Sequence, residues 1–115
     1  MVSLWILSQP IVGSASLSEL SSSKGTVTLA PFEFRERCYD LAVRDRVRYD
    51  FDTDQPVEFD IHFHDGFAVR YAVKHTTNST RQTEFVAEND RNYCLMWFNT
   101  GLTSTSLTYR IIRPK

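Results

Sequence analysis

From Gly25 onward, apolar and polar residues alternate with a period of two, run after run. Val27 and Leu29 alternate with threonines, and Tyr39, Leu41 and Val43 with polar or small residues. Val47, Tyr49 and Phe51 take one side of their run, Arg46, Arg48 and Asp50 the other. Val57, Phe59, Ile61 and Phe63 oppose Glu58, Asp60, His62 and His64. Phe67, Val69, Tyr71 and Val73 oppose Ala68, Arg70, Ala72 and Lys74, while Tyr93, Leu95 and Trp97 oppose Cys94, Met96 and Phe98. Leu107, Tyr109 and Ile111 close the series. Alternating β-branched and aromatic residues mark half-buried strands, and no window carries a helical stripe.

Turn chemistry separates the runs. Residues 52–56 suit a hairpin loop, and His64-Asp65-Gly66 suits a tight turn whose glycine is free to take a positive φ. Residues 76–80 read as a polar loop, and 88–92 and 99–101 as two further connections. About seven to eight short strands at this spacing predict an all-β fold, a two-sheet antiparallel β-sandwich of jelly-roll type or a small barrel.

A chain of 115 residues is the common size of one domain. The sandwich is expected over 25–115, preceded by an arm over 1–24. Residues 1–23 contain no Lys or Arg and one acid, Glu19. An apolar run over 2–7, then Ile11-Val12-Gly13-Ser14-Ala15, looks like the later part of a secretory signal, with Ala15 a candidate cleavage position. That run is too short to span a bilayer, and the serine-rich stretch over 17–24 reads as a linker. A net charge of -1 excludes the basic excess that nucleic-acid binding requires. A hydrophobic share of 42%, with 13% aromatic, is enough to fill a core without metal staples.

Cys38 and Cys94 stand far apart, and no C-x-x-C pair exists. One disulfide in an exported domain is their simplest use; in a reducing compartment they are two buried thiols. Arg44, Arg46 and Arg48 share a face, and pairing with Glu58 and Asp60 across a hairpin explains them more simply than an anion site. No nucleophile elbow or Ser-His-acid pattern occurs, so no enzyme is expected. The sharpest chemical candidate is a metal site. His62 and His64 project from one face of a strand, Cys94 and Met96 show the same spacing, and imidazole, thiolate and thioether together favour copper, with zinc as the second choice. Asp60, Asp65 and His75 are the candidates to orient or replace those ligands. A disulfide at Cys94 and a metal thiolate at Cys94 exclude each other. Asn78-Ser79-Thr80 matches a glycosylation acceptor.

Several stretches together resemble the GOLD (Golgi dynamics) domain, a β-sandwich of secretory cargo receptors and some lipid-transfer proteins. They are Cys38 ahead of an apolar strand, Asp45-Arg46-Val47-Arg48-Tyr49-Asp50-Phe51, Val57-Glu58-Phe59-Asp60-Ile61, Asn92-Tyr93-Cys94-Leu95-Met96-Trp97-Phe98-Asn99 and Thr108-Tyr109-Arg110-Ile111. The stretch over 59–74 is also similar to small exported bacterial proteins of no assigned function. The resemblance implies a sandwich and an extracytoplasmic, periplasmic or secreted, setting. It does not imply cargo transport, because a shared fold is no warrant for a shared job. The expectation is therefore a non-enzymatic interaction or structural module with a protein partner. Its first candidate surface is His62, His64 and Arg70. The alternative is a copper- or zinc-binding protein that uses His62 and His64.

Overall fold

The computed structural model describes residues 19–115, so the first 18 residues of the expected arm over 1–24, with the candidate cleavage position at Ala15, lie outside the described residues. The described chain forms six strands: β1 (Leu20–Leu29), β2 (Phe34–Leu41), β3 (Arg46–Asp65), β4 (Ala68–Val86), β5 (Arg91–Phe98) and β6 (Thr105–Pro114). All pairings are antiparallel, in the order β1-β6-β3-β5-β2, with β4 on β3. The result is one curled sheet of six strands in place of the expected seven or eight divided between two sheets.

The curl comes from β3. Its first half pairs with β6 over Arg48–Thr53, and its second half pairs with β5 over Glu58–His62. Two wings therefore hang from one long strand, β1-β6 on one half and β2-β5 on the other, while β4 runs along the opposite side of both. Between them the register with β4 jumps from Asp52 to Val57. Pro56 has no N–H to give a ladder and tolerates such an interruption. Gln55 ties it down by donating from Nε2 to the carbonyls of Thr103 and Ser104. The stretch over 52–56, expected to be a hairpin loop, is an irregularity inside a continuous strand.

The inward face of β3 carries Val47, Tyr49, Phe51, Val57, Phe59 and Ile61, all buried. β6 adds Leu107, Tyr109 and Ile111, and β5 adds Tyr93, Leu95 and Trp97. Their rings form a connected cluster: Phe51 and Phe59 lie 4.9 Å apart, Phe51 and Trp97 5.8 Å, Trp97 and Tyr109 5.3 Å. Each such side chain contributes about 1.5–3 kcal/mol when taken fully from water.

Other boundaries also differ from expectation. The serine-rich stretch from Leu20 to Lys24 is strand, paired with Arg110–Pro114, so the domain begins before residue 25. Residues 76–80 lie within β4, and the Asn78 acceptor with them. The turn at Gly66 is as expected: its φ is +63°, that of Phe67 is not positive, and Asp65 faces Ala68 across it. Glycine first, with an ordinary residue second, is the II′ pattern that matches strand twist. Arg46 and Arg48 pair with Glu84 of β4 rather than with Glu58 and Asp60, and Arg44 stands in a turn at φ +75°.

Candidate functional site

The outer face of the second wing holds a polar cluster around two buried side chains, Asp60 and His62. Period two places Asp60, His62 and His64 there, opposite the core residues of β3. β3 and β5 are neighbours, His62 faces Cys94, and Asp60 faces Met96. The four residues of the expected metal set thus share one region of one sheet.

They do not form the expected ligand set. Cys94 is bonded to Cys38, its direct cross-strand partner on β2, and its sulfur is no thiolate. Both ring nitrogens of His62 are engaged by carboxylates: Nδ1 lies 2.6 Å from Asp60 Oδ1, and Nε2 3.1 Å from Glu36 Oε2. The His64 ring stands edge-on to that of His62, with centroids 5.5 Å apart, in an exposed position.

Asp60 is the centre of the cluster. Only 1% of it is exposed, and its second oxygen, Oδ2, lies 3.0 Å from Nε2 of His75. A carboxylate is removed from water at acceptable cost only when its oxygens find donors, and two imidazoles supply them. Backbone irregularity aims those groups. Around Asp60 the β3–β4 register shifts twice, leaving Lys74 and His75 against Asp60, and Ala72 as an extra residue. Bulges of this kind re-aim side chains. They bring His75 back onto Asp60, two of the three residues expected to support a site; the third, Asp65, pairs elsewhere, with Arg70 and Arg91. Glu36 went unseen in the sequence. Its one signal is its place two residues before Cys38, and so on the same face of β2.

The same bulges change which β4 side chains face the core. Val69 faces His64 and Tyr71 faces His62, so both lie on the outer side, whereas Val73, past the extra Ala72, faces Ile61 and packs on the core. β5 pairs with β3 only as far as His62. The hairpin beyond it overhangs the sheet, and Phe67, Val69 and Tyr71 are exposed where the alternation placed them inside. The candidate surface of His62, His64 and Arg70 is not one surface. His62 is buried, His64 faces outward, and Arg70 sits opposite Phe63 on the other side of the hairpin. What this end of the molecule offers a partner is an aromatic tip.

No protein-family model matches the chain, and no curated protein is significantly similar to it. The GOLD resemblance therefore finds no support. Among solved structures the chain is similar to the periplasmic g-type lysozyme inhibitor PliG of Aeromonas hydrophila. That match has a TM-score of 0.60 at 7% identity, over 88% of this chain and 91% of that one. PliG of Salmonella Typhimurium, also a periplasmic g-type lysozyme inhibitor, matches with a TM-score of 0.52 at 8% identity, over 87% and 92%. At such identities the likeness is one of fold.

Proposed function

We propose that this chain is a non-enzymatic, extracytoplasmic module that binds another protein through the tip of its β3–β4 hairpin. The observation that carries the reading is the exposure of Phe67, Val69 and Tyr71 together on an element held by a cross-linked sheet. Large apolar side chains left in water at a rigid projection are the anchors from which protein interfaces are built, and aromatic residues dominate their energetics. His64 and Arg70 flank the tip on its two sides and supply the polar rim.

Three further points support it. The disulfide suits an oxidising compartment. No helix among the described residues is long and apolar enough to cross a membrane. Two proteins of similar fold are periplasmic inhibitors of another protein, a g-type lysozyme.

The test is calorimetric titration of a g-type lysozyme with the wild-type chain and with a Phe67→Ser, Tyr71→Ser double variant. Binding that the variant weakens at least tenfold is expected. Undiminished binding by the variant moves the contact off the hairpin, and no binding by the wild type removes this partner class. Peptidoglycan hydrolysis by the chain that vanishes in His62→Ala overturns the non-enzymatic reading.

A further inference from the structure

The bridge and the cluster beside it hold a second set of chemistry. An Oε atom of Glu36, a ring nitrogen of His62 and Sγ of Cys94 all lie within 4.8 Å of one another. Sγ of Cys38 is bonded to that of Cys94. Two cysteine sulfurs, an imidazole and a carboxylate therefore converge from β2, β3 and β5. In the oxidised chain the sulfurs are spent on each other.

We propose that reducing the Cys38–Cys94 bridge converts this place into a tetrahedral zinc site, with Cys38 Sγ, Cys94 Sγ, His62 Nε2 and Glu36 Oε2 as ligands. A two-electron reductant, thiol or phosphine, delivers two electrons and two protons to the Sγ–Sγ bond and is itself oxidised. Zn²⁺ then takes the place of the two thiol protons, which pass to solvent. Zinc–ligand distances of about 2.0–2.3 Å put tetrahedral donors roughly 3.3–3.8 Å apart, and the Glu36, His62 and Cys94 donors already lie within 4.8 Å of one another.

The cluster also holds the outer partner that such a site needs. Metal-binding histidines donate their far nitrogen to a carboxylate, which fixes the ring and raises its basicity. Asp60 Oδ1, 2.6 Å from His62 Nδ1, occupies that position, and His75 holds the other oxygen of Asp60. Nε2 is thereby aimed at Glu36, 3.1 Å away, and a cation can sit between them. Access is open at one end: Cys38 is exposed and Glu36 half-buried, while Cys94 and His62 are buried. The expected pairing of Cys94 with His62 as ligands thus belongs to the reduced chain, with Glu36 and Cys38 in place of His64 and Met96.

The experiment uses the full chain, oxidised or reduced with a phosphine under inert gas, titrated with Zn²⁺ against a chromophoric chelator and separately with Co²⁺. One equivalent of zinc is expected in the reduced chain and none in the oxidised. Bound Co²⁺ should show a sulfur charge-transfer band and tetrahedral ligand-field absorption. His62→Ala and the milder Glu36→Gln should each weaken zinc at least tenfold, with the bridge still forming in both on reoxidation. Equal uptake by the two forms overturns the proposal. So does unchanged affinity in both variants, or a reduced chain whose circular dichroism has lost its strands.

Discussion

Asp60 shows what a single residue's neighbours decide. Its position in the alternation places it on the outer side of β3, and so it is, yet Glu36, Tyr71 and His75 close over the place where it and His62 stand. Burial of an outward residue depends on side chains from other strands and leaves no trace in its own run. Asp60→Ala leaves Nδ1 of the buried His62 without its partner, and a buried polar group left unsatisfied costs about 1–3 kcal/mol; urea unfolding of the variant should show that loss. Tyr49 gives a second test. Burial of its phenol raises its pKa above the ordinary 10.0, opposed by the nearby charge of Arg81 and by the hydrogen bond that Arg81 Nε donates to its hydroxyl. The folded chain therefore holds this proton more tightly than the unfolded chain does. The stability tied to neutral Tyr49 is complete below about pH 10 and is lost as pH rises toward the raised value. Phenolate absorbance should show one of the five tyrosines ionising late, and Tyr49→Phe should flatten the alkaline fall in stability.

At the scale of elements, the strands themselves were legible because side-chain period needs no knowledge of partners. Val47, Tyr49, Phe51, Val57, Phe59 and Ile61 are buried, as expected. What the pattern did not distinguish was a break in pairing from a reversal of the chain. Asp52, Asp54 and Pro56 suit either a loop or a bulge, and here β3 passes straight through. β4 shows the complementary failure, since one extra residue, Ala72, moves Tyr71 and Val73 to opposite faces. The serines and lysine that suggest a linker up to Lys24 also suit β1, because an edge strand bonds through its backbone and tolerates them. That same edge contains a tight fit. A Cβ on Gly25 would lie 2.9 Å from the hydroxyl of Tyr109, its ladder partner, which also accepts a hydrogen bond from Arg37 Nε. Gly25→Val should cost roughly 1–3 kcal/mol by displacing that buried ring. Thermal melts are the check, and Gly66→Ala, which meets no neighbour within 4 Å but requires a φ of +63°, separates crowding from backbone strain.

For the whole molecule, strand content and a single core followed from the sequence, while the curled sheet did not. Nothing in β3's own residues announces that β6 leaves it near Thr53 and β5 joins it at Glu58. The disulfide was one of two open readings of the cysteines, and the structure takes it, directly across β2 and β5. It closes a loop with a sequence separation of 56, which in the chain-entropy account contributes about 4 kcal/mol. A Cys38→Ser, Cys94→Ser variant should lose roughly 2–4 kcal/mol in denaturant titration.

The bridge also encloses the hairpin whose tip exposes Phe67. An exposed aromatic residue in a turn is an inviting place for a protease to cut. Cys38 lies upstream of that turn and Cys94 downstream, and β3 and β4 hold each other along their length. A nick at residues 66–67 therefore leaves two pieces that travel as one on a non-reducing gel and separate only after reduction. The chain is thereby built to survive being clipped at its most exposed point.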